Sequence, residues 1–246
     1  MPLEIVEILG RSDQGRTRPY VCRGDDGEVY FVKGGSATRQ GLVAEWLCAE
    51  MAFQLGLPVA PYAIGMVPEE LIEADLSGWL GELGAGAIFA SRRVQAVELT
   101  DMHRDHVDRE LRRDILAFDW WIRNGDRSLT TSGGNPNLLW NPAGDGSLVV
   151  IDHNLAFDAS FSAKDFADTH VFSDELPALF SDFVAGQAYV ERFQKALLAW
   201  ESSCAKLPVD WRYVDPERTI PVDFNVADFR AILDRATEAY FWNLTP

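Results

Sequence analysis

Cysteine is scarce in this 246-residue chain: Cys22, Cys48 and Cys204 are the full complement. Three scattered thiols exclude a disulfide framework and a thiolate-rich metal site. Cys22 and Cys48 lie inside apolar patterns and read as small core residues. Positive charge is also short, with 22 Lys and Arg against 38 Asp and Glu and a formal charge of −16. That balance argues against a nucleic-acid or anionic-membrane surface, both of which need a basic footprint, though a local basic pocket for phosphate stays possible. No apolar run approaches the roughly 20 residues needed to span a bilayer. The first residues, MPLEIVEILGRSDQGR, lack a basic segment followed by an apolar one, so no secretory signal is read and a cytoplasmic protein is expected. Histidine is sparse too. His103 and His106 sit in the charged segment Asp101 to Arg109 without an evident third ligand, which reads as surface chemistry at a helix entry. His170 lies in a polar loop with no visible partner. A Gly-x-Ser-x-Gly elbow and zinc-type spacings are both missing, so hydrolase and metalloprotease readings have no support.

What is present is an ordinary globular composition, 47% apolar and 24% charged. The length suits one large domain or two packed lobes. Leu3 to Leu9, Pro19 to Arg23, Glu28 to Lys33, Ala60 to Val67 and Gly86 to Val94 read as strands. Gly24-Asp25-Asp26-Gly27 reads as a hairpin turn. Apolar residues from Arg39 to Leu55 recur with helical spacing, and Gly56 and Pro58 end that helix. A short helix is expected from Glu69 to Leu80, and an amphipathic one from Val107 to Arg123. Asn124 to Pro136 reads as a polar loop, followed by a hairpin of Asn137 to Trp140 and Leu148 to Ile151. Helices are expected at Tyr189 to Cys204 and Val226 to Trp242. The aromatic clusters Phe118, Trp120, Trp121 and Tyr240, Phe241, Trp242 read as core. The fold class is therefore α+β, with a β-rich part and a mainly helical part joined near Val94 to Thr100.

Certain polar residues break the core pattern in a chemically suggestive order. Lys33 ends a strand, and beneath the loop Gly10 to Arg18 it could reach bound phosphates cradled by Gly15, Thr17 and the loop amides. Glu45 lies on an apolar stretch of helix, where a carboxylate needs a partner; Lys33 is the candidate, with Glu50 as the alternative acid. Further on, Asp126 opens the polar loop, Asn137 opens the next apolar run and Asp152 closes its pair. A hairpin holding Asn137 beside Asp152 offers two oxygen ligands to a hard cation, and Mg²⁺ is commonly held by one or two such ligands plus phosphate oxygens. Asp126 could accept a hydroxyl proton. Phosphoryl transfer needs this set of parts.

In their order and context, Phe31-Val32-Lys33-Gly34-Gly35, Glu45 before Gly56-Leu57-Pro58-Val59, Asn124-x-Asp126-Arg127, Asn135-Pro136-Asn137-Leu138-Leu139 and Ile151-Asp152-His153 resemble the HipA-like kinases. The likeness runs over about residues 5 to 160 and is nearest to compact members without the extra N-terminal subdomain of the HipA toxins. It implies a single kinase domain over 1–246, with a two-lobed protein-kinase-like fold. The N-lobe would cover about 1–95 and the C-lobe about 96–246, with Mg-ATP between them. By this resemblance Lys33 contacts the α/β-phosphates, Glu45 holds it, Asp126 is the catalytic base, and Asn137 and Asp152 bind Mg²⁺. Gly15, Arg16 and Thr17 loosely match a phosphate loop, while Phe89-Ala90-Ser91-Arg92 resembles the strand leading into an adenine-binding hinge. The toxins carry a compact Asp-x-His-x-x-Asn loop, whereas Ser128 to Gly134 intervene here, so Asn135 competes with Asn137 as metal ligand. His153 and Asn154 stand where ordinary protein kinases carry Phe and Gly.

The expected function is thus an ATP-dependent phosphotransferase using Mg-ATP on a hydroxyl, in the first place a protein Ser or Thr. A catalytically weak nucleotide-binding regulatory module is the alternative, as are nucleotidyl transfer and a small-molecule acceptor. Residues 160 to 246 carry no motif that names the acceptor.

Overall fold

Alternation of buried and partly exposed residues builds the first strands, as at Tyr20, Cys22 and Gly24 of β2 (Tyr20–Gly24) and Tyr30 and Val32 of β3 (Val29–Lys33). The computed structural model describes residues 2–12, 18–130, 133–141, 147–181 and 183–243. It is a mixed α+β structure, β-rich toward the N-terminus and helical toward the C-terminus. Two compact units divide the chain: residues 1–46, 60–94 and 206–223 form the first, and residues 47–59, 95–205 and 224–246 the second. Among the described residues, no helix is long and apolar enough to cross a membrane.

In the first unit, β1 (Leu3–Arg11), β2, β3, β4 (Tyr62–Val67) and β5 (Gly86–Arg92) close into a barrel of order β1-β2-β3-β5-β4. Antiparallel pairs make up the barrel except for the parallel β1–β4 contact that closes it. Ile5, Cys22, Val32, Val67, Ile88 and Ala90 fill its interior, so Cys22 is the core residue expected. Helix α1 (Arg39–Gln54) begins in this unit, and every residue from Gly41 to Ala49 is buried. A helix buried on all sides carries apolar residues all round, which explains its near-continuous apolar sequence. Helix α2 covers only Glu69–Glu73, shorter than the expected span to Leu80. Asp75 stops it by turning back on the chain, accepting from the amides of Ser77 (3.0 Å) and Leu80 (2.6 Å).

The second unit contains β6 (Val97–Glu98), α3 (Asp101–Arg104), α4 (Arg109–Trp121), β7 (Ser128–Thr130), β8 (Gly133–Asn135), β9 (Leu138–Trp140) and β10 (Leu148–Val150). Helices α5 (Ala163–Thr169), α6 (Leu176–Ser181), α7 (Phe183–Ala196), α8 (Trp200–Ala205) and α9 (Val226–Asp234) follow. Asp108 caps α4, accepting from the amides of Glu110 and Leu111. The expected hairpin is present, with Val150 opposite Leu138, and β6 adds a third strand beside β9. Pro58 and Val59, just past α1, join β10, the Val150 amide donating to the Pro58 carbonyl at 2.8 Å.

Two expectations need correction in this unit. The polar loop from Asn124 is partly a second hairpin, β7 pairing with β8 through Ser128–Asn135 and Thr130–Gly133. It depends on glycine: a Cβ at Gly134 would lie 2.3 Å from the Ser128 carbonyl oxygen. The two C-terminal helices are also shorter than their periodicity suggests. Short 3₁₀ turns interrupt them, at Leu197–Ala199 between α7 and α8 and at Arg235–Thr237 after α9.

Around α4 the aromatics form core. Trp121 is fully buried, stacks on Phe193 at 4.2 Å and donates its indole N–H to the Leu233 carbonyl at 2.8 Å. Trp120 likewise donates to the Phe241 carbonyl at 3.0 Å, while Tyr240 is exposed. Trp121→Phe keeps the stack but orphans the Leu233 carbonyl. A loss of about 2 kcal/mol is expected, read as a lowered urea midpoint with unchanged slope.

Candidate active site

In the first unit the chemistry centres on the end of β3. Phe31 and Lys33 point away from the barrel interior filled by Val32, and Lys33 meets α1, where its ammonium donates to Glu45 Oε1. Both side chains are largely withdrawn from water, at 13% and 2% exposure. A pair this buried survives because opposite charges meet there, and breaking such a pair costs about 3–5 kcal/mol in general. Glu50, the alternative acid, instead accepts from the Ser203 hydroxyl at 3.0 Å. The chain then turns at Gly34, where a Cβ would lie 2.6 Å from the Leu83 carbonyl oxygen. The Gly35 and Ser36 amides donate to the Leu83 and Glu82 carbonyls.

Phe89 sits opposite Lys33 in the β3–β5 ladder, and Ser91 opposite Phe31. The same residues pair with Ile64 and Tyr62 of β4 on the other side. A strand with neighbours on both edges spends its backbone donors and acceptors on the ladders. Gly15, Arg16 and Thr17 lie outside the described residues.

The second unit gathers the remaining candidates. Asp126 is half-buried, and its Oδ2 accepts from the side-chain amides of Asn135 (2.8 Å) and Asn137 (3.0 Å). Both competing amides thus reach the same carboxylate oxygen. Burial pushes the Asp126 carboxyl above its ordinary value, and the nearby Asp152 charge adds to this. The two amides and Arg127 pull the other way without reversing it. Asn137 and Asp152 both have left-handed backbone, with φ of +48° and +58°. The Ile151 amide donates to the Asn137 carbonyl at 3.2 Å, continuing the β9–β10 ladder, so Asn137 and Asp152 come to the same end of the hairpin.

A buried acid that no motif marks is linked to these residues through Asn124 and Arg127. Asp119 of α4 is fully buried and accepts from Asn124 Nδ2 (2.8 Å), Arg127 Nε (2.6 Å) and His170 Nε2 (3.0 Å). His170, expected to be without a partner, is buried against this carboxylate. Its Nδ1 accepts the Phe172 amide at 3.1 Å, so the ring proton belongs on Nε2 and the imidazole is neutral. Burial lowers the His170 pKa in keeping with this, outweighing the attraction of Asp119. Burial alone would push the Asp119 carboxyl up, yet Arg127 and His170 hold it at about 2. A signal for Asp119 was available: it interrupts the run Ala117-Phe118-Asp119-Trp120-Trp121, as Glu45 interrupts its own helix. The position of His170, 51 residues away, had no such signal.

The donor set suits a hard divalent cation. Asp126 and Asp152 are close enough for one charge to disfavour the other, a repulsion that a cation relieves. Among the described residues, no group of three or more His, Cys, Asp or Glu could hold a metal ion. An ion here would accordingly rest on one carboxylate, one amide oxygen and oxygens brought by a ligand, the usual pattern for Mg²⁺.

The fold is similar to that in the crystal structure of the Helicobacter pylori proinflammatory kinase CtkA. That likeness has a TM-score of 0.54 at 12% sequence identity and covers 96% of this chain and 92% of the other. No curated protein matches the chain. Its sequence from residue 5 to residue 245 fits the family described as HipA-like kinase, and the chain belongs to that family.

Proposed function

We propose that this chain, a kinase-type phosphotransferase by family, moves the γ-phosphoryl group of Mg-ATP to a serine or threonine hydroxyl of a protein. The observation that supports this most is the state of Asp126. Its carboxyl is raised by burial, has one oxygen held by two amides and sits near a second carboxylate. A base for an alcohol needs that combination: a fixed direction, a raised proton affinity and an oxygen that those amides do not take, here Oδ1.

On this reading Oδ1 of Asp126 takes the acceptor proton as the acceptor oxygen bonds to the γ-phosphorus and the bond to ADP breaks. Lys33, kept in place by Glu45, counters phosphate charge. The side-chain oxygens of Asn137 and Asp152 would hold Mg²⁺, which when bound neutralises charge on the phosphates. Because the backbone of Phe89 and Ser91 is committed to the barrel, adenine would meet their side chains or the backbone beyond Arg93, whose amide still donates to the Val29 carbonyl. The two-lobed arrangement of protein kinases belongs to the same proposal.

The test is intact-mass analysis of a candidate protein mixture and of the chain itself after incubation with ATP. Adducts of one phosphate, absent when EDTA removes Mg²⁺ and restored by added Mg²⁺, are expected. Adenylyl adducts would replace the reading with nucleotidyl transfer. Thermal stabilisation by Mg-ATP without any adduct would replace it with a regulatory nucleotide-binding role. In Asp152→Asn, loss of Mg²⁺-dependent nucleotide binding is expected to be greater than in Asp126→Asn, because a ligand oxygen is removed.

A further inference from the structure

We propose that Arg127, anchored by the buried Asp119, is the positioning residue that holds Asp126, Asn137 and Asp152 in one working arrangement, with His170 completing the anchor. The catalytic meaning of this rests on the kinase reading; its geometry stands on the hydrogen bonds of the second unit alone.

The need for such a device is visible in the backbone. Asn137 and Asp152 occupy left-handed conformations, φ +48° and +58°, and neither is glycine. Asn and Asp tolerate this region better than other side chains, yet two such residues at one hairpin end need surroundings that fix them from several sides. Arg127 supplies that fixing. Its Nη1 donates to the carbonyls of Asn137, Ile151 (3.2 Å) and Pro136 (3.4 Å). One nitrogen thus gathers the backbone at the first ligand residue and at the residue just before the second. A guanidinium is rigid and planar, so its placement sets the spacing between residues 137 and 151.

Asp119 fixes the guanidinium in turn through Nε, and the same carboxylate reaches the base by another route. Its Oδ1 accepts from Asn124, whose own Oδ1 accepts the Asp126 amide at 3.3 Å. Both branches therefore start from a single buried carboxylate. His170 adds a third donor to it from the end of α5, and the following Val171 amide donates to the Arg127 carbonyl at 3.1 Å. Lysine could not substitute, because one ammonium on a flexible stem cannot serve Asp119 and three carbonyls together.

The test compares the full-length chain with Arg127→Lys, His170→Leu and His170→Gln. Three readouts are used: amide hydrogen exchange at 135–139 and 150–153, electron paramagnetic resonance titration of Mn²⁺ with ADP present, and kcat against KM. Arg127→Lys is expected to exchange faster at both segments and to bind Mn²⁺ about 10- to 100-fold more weakly, the usual range for a residue behind metal ligands. Its kcat should fall by a similar factor with the acceptor KM unchanged. His170→Leu should move in the same direction, and His170→Gln, whose amide can still donate to Asp119, should stay near wild type. That pair carries the test if Arg127→Lys fails to fold. A merely structural role would lower stability and leave Mn²⁺ affinity and kcat of the folded protein unchanged. Wild-type exchange and Mn²⁺ affinity in the folded variants would overturn the positioning role alone. Absence of Mn²⁺–ADP binding in the wild type would instead overturn the kinase reading, and the catalytic meaning of the network with it.

Discussion

Asp126→Asn is expected to lower kcat by about 100- to 10,000-fold, the usual contribution of a positioned general base. The fold should survive it. An asparagine oxygen can still accept from Asn135 and Asn137, so the local hydrogen bonds have a replacement partner. The sign of the pKa shift leads further. Because the folded-state pKa of Asp126 is raised, the ionised carboxylate is less favourable in the native state than in the unfolded chain. Its stabilising contribution is complete only below the unfolded pKa and is lost as pH rises through the folded one. At neutral pH the ionised group works against folding, and Asp126→Asn should melt at the wild-type temperature or slightly above. The activity profile carries the same signature: kcat/KM of the wild type should fall on acidification at a pH above the ordinary carboxylate value of 3.8. The variant's residual activity should lack that acidic limb. Wild-type turnover in Asp126→Asn, or a large drop in its melting temperature, would show that this carboxylate is structural.

Asp119→Asn is expected to cost about 3–5 kcal/mol, a large share of the 5–15 kcal/mol typical of whole domains. The reason lies in the direction of its hydrogen bonds. Asn124, Arg127 and His170 all donate to Asp119 and together use both its oxygens. An amide would turn one acceptor into a donor facing donors and leave the fully buried Arg127 without its counter-charge. Urea unfolding would measure the loss. In a double-mutant cycle, Asp119→Leu with Arg127→Met should lose less than the two single changes combined, since the buried charges leave together. The pH dependence runs opposite to that of Asp126. Asp119 is depressed to about 2, so it adds stability above the unfolded carboxylate pKa and loses it as pH falls toward 2. That contribution is about 2 kcal/mol by linkage. Asp119→Asn should lack this part of the acid sensitivity.

The two carboxylates also mark how far the sequence could be read. A charge in an apolar helix needs a partner, and for Glu45 the candidate is Lys33, reached where the helix packs across the strands. The structure pairs them. Asp119 also breaks an apolar helix, but its partners Arg127 and His170 lie in a loop and beyond a helix end, where no periodicity points to them. From the sequence alone His170 therefore reads as isolated. Asn137 is favoured over Asn135 as the ligand because it directly precedes an apolar run, yet both contact Asp126 because β7 and β8 fold the intervening residues into a hairpin. Those strands are three residues each, rich in glycine and polar groups, and carry too little alternation to be recognised locally.

Residues 206–223 make the same point at larger scale. They follow a run of helices, yet they belong to the unit that contains the N-terminal barrel. There Trp211 donates to the Ala87 carbonyl at 3.2 Å and Arg39 to the Tyr213 carbonyl at 3.1 Å. By itself the sequence determined the barrel strands, the buried helix carrying Glu45, the hairpin between Asn137 and Asp152 and the family resemblance. Each of these is written in short-range periodicity or in motif order. Only the tertiary structure decided which donors surround Asp119, which amides hold Asp126 and where residues 206–223 pack. His170 and residues 206–223 meet partners dozens of residues away, set by how whole elements bury their faces. Asn124, Arg127, Asn135 and Asn137 lie closer in the chain, but across turns and a glycine-rich hairpin that carry no periodic pattern.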